Sequence, residues 1–236
     1  MIDVHCHILP GLDDGPSDMD ESLAMLGMAA ADGVRAIVAT PHFGGRYDEP
    51  SPELVRALTS RLNELAAEEA ISVRVLPGCE AEVHPDLPGK LQAGQALTLG
   101  DAGRYALLEV PPLPFPLYAH DVQFRIRLLG ITPILAHAER LAGAEAGLRF
   151  VREFAAQGGL LQINADSLSG AAGRAVQQMC RRLHREGLLH IIASDGHSAT
   201  TRPPLLTPCL RGFPRRERDQ VLQRHCSLEV GEPPTV

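Results

Sequence analysis

Two histidines separated by one residue, His5 and His7, follow a short apolar run at the start of the chain, and an acidic turn, Asp13-Asp14-Gly15, comes soon after. In an extended segment alternate side chains share a side, so His5 and His7 can hold one metal ion or flank two. A lone His-x-His is a weak signal, because two polar residues at a strand end read the same way. Its weight comes from where the other candidates fall. His42 follows the run AIVA, Glu80 follows the run ending at Leu76, and Glu109 ends YALLE. His137 ends TPILAH, while Asp195 and His197 follow HIIAS. Each lies at or just beyond the carboxyl end of a predicted strand, and in parallel α/β folds those ends converge on one face.

The remaining histidines act as a control. His84 and His120 read as loop residues, His184 and His225 as surface-helix residues, and His190 as the start of a strand. Convergence therefore selects five of the ten histidines. Those five imidazoles with one aspartate of the Asp13-Asp14 pair, Glu80, Glu109 and Asp195 make nine nitrogen and oxygen ligands without a thiolate. A single tetrahedral zinc takes four ligands, so a cluster of two or three divalent ions fits the count better. Mixed imidazole and carboxylate ligation suits Mn, Fe or Zn alike.

Elements that alternate along the chain must position these groups. Strands are expected at 2–4, 36–39, 72–76, 105–110, 132–136, 160–163 and 190–193. Helices are expected from a Ser17 N-cap to Gly33, from Ser51 through Leu65, and over 118–129, 144–157, 171–186 and 214–224. The proline-rich stretch 110–117 reads as a surface loop. Strands and helices in βαβα order predict a parallel sheet covered by helices, closed as a barrel or open and doubly wound. The chain has 236 residues, 44% hydrophobic and 22% charged, and reads as a single domain without internal repeat or linker.

The net charge of −7 disfavours a duplex nucleic-acid binder, whose affinity rests on clustered basic residues. Lys90 is the sole lysine, so any anion site would be built from arginine. No apolar run approaches the length of a membrane span, and the first residues lack the pattern of a signal peptide, so a cytoplasmic location is expected. Five cysteines, Cys6, Cys79, Cys180, Cys209 and Cys226, lack a C-x-x-C spacing and read as reduced thiols.

The strings MIDVHCHILPGLDDGP, ATPHF, PGCE, LLEV, AHAER and SDGHSATTRPP follow in order the metal-binding motifs of the polymerase-and-histidinol-phosphatase (PHP) superfamily. Over about residues 1–205 the chain resembles that superfamily's bacterial protein-tyrosine phosphatases of capsular and exopolysaccharide synthesis, the CpsB/CapC type; residues 206–236 read as a C-terminal helix and tail. The resemblance implies a distorted (β/α)7 barrel of the PHP fold with a trinuclear centre, usually discussed with manganese. It places ligands at His5, His7, Asp14, His42, Glu80, Glu109, His137, Asp195 and His197, with Asp14 preferred over Asp13. It places phosphate-binding arginines at Arg140, in HAER, and Arg202, in TTRPP. Phe43 stands where many relatives carry a histidine or polar residue. The implied substrate is a phosphotyrosine protein, the tail of a membrane-linked tyrosine autokinase.

Chemistry agrees with that implication. Clustered divalent ions can activate a bridging water near neutral pH and accept charge from a phosphoryl group. Three dications against four carboxylates leave the site positive inside an acidic protein. Planar guanidinium groups donate paired hydrogen bonds to phosphate, which lysine cannot reproduce. A phenolate leaving group, with a conjugate acid near pKa 10, needs little help from a general acid. Tyr47 and Phe43, in the loop after His42, are placed to stack on a substrate ring or to pack on the barrel rim. Four other readings compete. Cys209 and Arg215 have the Cx5R spacing of cysteine phosphatases, but CLRGFPR carries one glycine and a proline where such a nucleophile needs a cradle of backbone N–H groups. A PHP-type small-molecule phosphatase acting on histidinol phosphate shares the metal logic, as does a polymerase-associated exonuclease, which the acidic charge disfavours. A non-catalytic protein with a structural metal site would not need both arginines.

Overall fold

The apolar runs form nine parallel strands in the described residues, 1–111 and 115–211, of this computed structural model. In chain order these are β1 (Ile2–Cys6), β2 (Ala36–Ala39), β3 (His42–Phe43), β4 (Arg74–Pro77), β5 (Glu80–Glu82), β6 (Tyr105–Glu109), β7 (Thr132–Leu135), β8 (Leu160–Asn164) and β9 (Ile191–Ala193). Two hydrogen-bonded groups result, β1-β2-β4 and β3-β5-β6-β7-β8-β9. Two residues separate β2 from β3 and β4 from β5, and Glu80 N–H donates to the Pro41 carbonyl at the break. Each of those pairs is thus one bent stave, which reduces the nine strands to seven staves. The ring closes where β9 meets β1: Cys6 bridges Gly196 in parallel, and Asp195 N–H donates to the His5 carbonyl at 2.8 Å. This is the distorted (β/α)7 barrel that the family resemblance implies, closed and not open and doubly wound.

Alternation along the staves sorts the core into two layers. Val4, Val38, Leu76, Leu107, Ile134 and Ile191 pack together inside the barrel. Ile37, Val75, Leu108, Leu135, Ile163 and Ile192 face outward beneath the helices. On β1 the alternation slips. Val4 is interior, yet His5 and His7 also reach inward, and Cys6 packs in the outer layer. The pairing of β1 with β2 is irregular between Asp3 and Cys6, a bulge that re-aims the strand just before the site.

The covering helices are α1 (Met19–Ala31), α2 (Pro52–Glu68), α3 (Leu87–Gln92), α4 (Ala119–Leu128), α5 (Ala138–Leu141), α6 (Glu145–Ala156), α7 (Ala165–Ser169), α8 (Arg174–Arg185) and α9 (Thr207–Leu210). Ser51 caps α2 as expected, accepting from Leu54 N–H, with Pro52 in the first turn. The cap of α1 differs from expectation. Asp18, not Ser17, accepts from Glu21 N–H, and Ser17 N–H donates to Glu21. A carboxylate binds the positive helix start better than a hydroxyl, and moving the cap by one residue puts Glu21 in the reciprocal capping position. His120 lies in the first turn of α4 and not in a loop, and the 171–186 pattern starts only at Arg174, after positive-φ glycines at 170 and 173. The expected helix at 214–224, with Arg215, His225 and Cys226, lies outside the described residues, as do 112–114 of the proline-rich loop.

Candidate metal centre and active site

The carboxyl ends of the staves bring the nine expected ligand residues together. Glu80 occupies the middle. Its Oε2 lies 3.3 Å from His5 Nε2, 3.3 Å from His7 Nε2 and 3.2 Å from His42 Nδ1, and its Oε1 lies 3.0 Å from His137 Nε2. Glu109 stands 3.6 Å from both His42 and His137. Asp14 is 3.5 Å from His42 Nε2 and 3.3 Å from His197 Nε2, and Asp195 Oδ1 is 3.4 Å from His5 Nε2. Three groupings hold donor atoms within 4.8 Å of one another: His7, Asp14, His42 and His197; His5, His7 and Glu80; and His42, Glu80 and Glu109. His137 and Asp195 stand outside these groupings but touch their members.

Local backbone geometry aims several of these groups. His137 and Asp195, each the second residue beyond β7 and β9, adopt left-handed conformations with φ of 32° and 52°. Such values are uncommon for residues with a side chain, and they turn both chains out of strand geometry at the site. In the acidic turn, a Cβ on Gly15 would sit 2.5 Å from the His7 carbonyl oxygen, so only glycine lets the turn close against β1.

The two aspartates of that turn divide their work. Asp13 accepts from His7 Nδ1 at 2.6 Å and from the His42 and Gly15 backbone N–H groups. Asp14 faces His42 and His197 with its carboxylate partly open to solvent. Burial would raise the Asp13 carboxyl, but the bond to His7 outweighs it and brings the group down to about 2.

The donor set fits cations. Asp13 is an acceptor, so His7 Nδ1 carries hydrogen, and a neutral His7 presents the Nε2 lone pair to the centre. His197 Nδ1 likewise faces the Asp195 carbonyl at 2.8 Å and carries hydrogen, which leaves the Nε2 lone pair on the side of Asp14. His5 Nε2 and His7 Nε2 stand 3.2 Å apart, an arrangement that needs positive charge between or beside them. Glu80 Oε2 is buried and accepts no hydrogen bond. An orphaned carboxylate oxygen among imidazole nitrogens is costly unless a cation satisfies it.

The local field points the same way. Burial disfavours charge on His7, yet the hydrogen bond to Asp13 and the Glu80 carboxylate close by lift it to about 10. His5 is also raised, because Glu80 and Asp195 overcome its burial. His197 falls to about 4, through burial and the neighbouring charge on His7. Burial would raise Glu80 and Asp195, but the surrounding histidines hold both below the usual carboxylate range. Burial pushes Glu109 up, and Glu80 beside it adds to the effect.

Above this cluster opens a cavity of about 320 Å³. Arg140 and Arg202 line it; Arg140 Nη2 donates to Asp195 Oδ2 at 2.8 Å, and Arg202 Nη2 forms an ion pair with the same oxygen at 2.7 Å. Arg140 therefore pairs with Asp195 and not with its neighbour Glu139. A guanidinium has five N–H donors, so both arginines keep donors for an anion in the cavity. Tyr47 also lines the cavity, and its ring lies parallel to His42 at 4.2 Å. Phe43 is buried beneath Lys90, away from that stack.

Several residues escape the sequence reading. Arg46 lines the cavity, donates to the Tyr47 hydroxyl at 2.8 Å and approaches Asp14 at 3.8 Å; nothing in FGGRYD separates it from an ordinary loop arginine. Glu82 lines the same cavity, and its spacing of two from Glu80 on β5 could have found it. Gln162 and Asn164, fully buried on β8, bond His5 and Asp195. Their alternation at the carboxyl end of LLQIN was the available signal.

Cys209 is buried, donates to the Leu206 carbonyl and has its thiol pushed up to about 12 by burial. It does not line the cavity. Among the described residues no helix is long and apolar enough to cross a membrane.

A model of the capsular polysaccharide synthesis CpsB/CapC family matches residues 1–227. The chain belongs to the CpsB/CapC family. It is 35% identical over 202 residues to tyrosine-protein phosphatase YwqE of Bacillus subtilis, covering 86% of this chain and 79% of that protein. It is 34% identical over 212 residues to tyrosine-protein phosphatase CpsB of Streptococcus pneumoniae, covering 87% and 86%. A chain from the crystal structures of those two proteins, described as unique metal-dependent tyrosine phosphatases, superposes with a TM-score of 0.86 at 31% identity over 95% of each chain. The histidinol phosphate phosphatase of Lactococcus lactis superposes with a TM-score of 0.55 at 15% identity, which shows a shared fold alone. The family match extends beyond the motif-bearing residues 1–205 into the tail.

Proposed function

We propose that this CpsB/CapC chain is a metal-dependent phosphomonoesterase that hydrolyses phosphotyrosine in proteins, with a tyrosine autokinase of capsular or exopolysaccharide synthesis as its substrate. One observation carries the reading: a single cavity has the imidazole and carboxylate cluster as its floor and two guanidinium groups, Arg140 and Arg202, on its wall. The tyrosine-phosphatase names of its relatives support the same substrate class.

In this reading His5, His7, Asp14, His42, Glu80, Glu109, His137, Asp195 and His197 hold two or three divalent ions, manganese foremost, with iron or zinc as alternatives. Ions held there would supply Lewis-acid charge for the phosphoryl oxygens and a nucleophile drawn from water at neutral pH. The chain's own residues do the rest. Arg140 and Arg202, anchored side by side on one oxygen of Asp195, receive the phosphate through their free N–H donors and hold it over the cluster. Asp13 fixes His7, and the Tyr47 ring backs His42. The ring stack gives Tyr47 a second role beside the one expected for it, lining the path of an aryl group.

The test is turnover of a phosphotyrosyl peptide against histidinol phosphate by protein purified without added metal, assayed before and after chelation and again with Mn, Fe or Zn restored. Chelator-sensitive, metal-restored hydrolysis of the peptide is the expected result. Preference for histidinol phosphate, or turnover indifferent to chelator, would refute the reading.

A further inference from the structure

Six of the seven staves bring a histidine or carboxylate to the cluster from a strand or from the residues just beyond it; β8 brings two amides in their place. Gln162 and Asn164 share the inner face of β8, two residues apart, and are essentially without solvent exposure. Their hydrogen bonds run in one direction. Gln162 Oε1 accepts from the His137 backbone N–H at 2.8 Å and lies 3.0 Å from His5 Nδ1. Gln162 Nε2 donates to Asn164 Oδ1 at 2.8 Å, and Asn164 Nδ2 donates to Asp195 Oδ2 at 2.6 Å.

The polarity of this chain is fixed at both ends. A backbone N–H can only donate, so the atom of Gln162 facing His137 must be the oxygen. The Asp195 carboxylate can only accept, so the atom of Asn164 facing it must be the nitrogen. The amides then agree with each other, and the remaining contact requires His5 to donate through Nδ1. A neutral His5 therefore has its lone pair on Nε2, facing Glu80, His7 and Asp195 Oδ1. At the far end Asp195 Oδ2 collects Asn164, Arg140 and Arg202, which leaves Oδ1 for the cluster.

We infer that Gln162 and Asn164 form a positioning relay that holds His5 in the Nδ1-protonated tautomer and divides the two oxygens of Asp195 between the metal cluster and the phosphate-binding arginines. Neither amide touches substrate. Both act through the groups they orient, as partners behind a metal ligand commonly do, where their loss costs about 10–100-fold in metal affinity or activity. The inference rests on the metal-centre reading above.

The test compares wild type with Gln162→Met, which keeps volume but removes the acceptor, and with Gln162→Glu, which keeps an oxygen facing both N–H groups. Two readouts are needed: divalent-ion affinity by competition with a chelator, and the His5 tautomer from two-bond proton–nitrogen spectra of zinc-loaded, nitrogen-15 histidine-labelled protein. We expect about 10–100-fold weaker ion binding and a mixed tautomer in Gln162→Met, with the tautomer alone recovered in Gln162→Glu, whose second oxygen meets the Asn164 acceptor and breaks the arm to Asp195. Should Gln162→Met fail to fold by circular dichroism, Asn164→Ala carries the test. It frees the Gln162 amide from behind and is expected to weaken ion binding several-fold with some loss of the tautomer. Folded variants with wild-type affinity and an unchanged His5 signal would overturn the relay. A wild-type chain that binds no divalent ion would instead overturn the metal centre itself.

Discussion

Replacing Arg202 by alanine separates phosphate binding from metal binding. Asp195 Oδ2 has three nitrogen partners: Arg140 Nη2 at 2.8 Å and Asn164 Nδ2 at 2.6 Å hydrogen-bond to it, and Arg202 Nη2 is ion-paired with it at 2.7 Å. Removing Arg202 leaves two of them, and Oδ1, which faces His5, is untouched. The cluster should therefore keep its ions. The cost falls on the substrate. Hydrogen bonds to a charged partner contribute about 1.5–3 kcal/mol each, and a guanidinium can make two to one phosphate. Arg202 is 34% exposed, so solvent screens part of that value, and about 2–3 kcal/mol in total is a fair expectation. At 1.36 kcal/mol per decade, kcat/KM should fall about 30- to 150-fold. Arg202→Lys should recover only part of the loss, because an ammonium keeps the charge without the planar fork. The assay is kcat/KM on an aryl phosphate, paired with elemental analysis of each variant. Loss of metal in Arg202→Ala, or a kcat/KM within a few-fold of wild type, would refute the assignment.

Cys209→Ser should leave hydrolysis intact. With its pKa raised to about 12 the thiol stays neutral at every lower pH, so at pH 8 about one molecule in 10,000 carries a thiolate, too few for a nucleophile. The corresponding check in wild type is slow alkylation of Cys209 by iodoacetamide until the chain is unfolded, read by peptide mass. Gly15→Ala must push the acidic turn away from the His7 carbonyl. We expect loss of ion affinity with destabilisation of about 1–3 kcal/mol, measured by chelator competition and thermal unfolding. Phe154→Ala, beneath the barrel wall and 1% exposed, should cost about 3–5 kcal/mol in a denaturant titration of the metal-loaded protein.

The sequence showed the convergence of His42, Glu80, Glu109, His137 and Asp195 because strand ends are marked by apolar runs that stop, and a parallel fold dictates what such ends do. It could not show that β3 and β5 prolong β2 and β4. Those breaks fall at Pro41 and at Gly78, where a side chain would meet Val38, and they depend on neighbours distant in sequence. The bulge in β1 and the left-handed backbones of His137 and Asp195 were equally hidden, since each is imposed by closure of the ring against residues far along the chain. Ser17 was a reasonable cap by residue type, and only the geometry after Pro16 gave the role to Asp18. Gln162 and Asn164 went unread because amides are ordinary surface residues. Their meaning comes from complete burial among ionisable groups.

The seam between β1 and β9 joins residues 190 apart in sequence. At ribosomal speeds of about 5–20 residues per second, roughly 10–40 s pass between synthesis of Cys6 and synthesis of its partner. During that interval His5 and His7 exist without Asp195 or His197, and Arg140 lacks its carboxylate partner. A nascent chain thus has no phosphatase centre to misdirect, and the first strand must wait, exposed or chaperoned, for the last. Long-range closure of this kind is intrinsically slow. The seam that completes the cluster therefore forms only once the segment around Gly196 has been made, as the same event that closes the barrel.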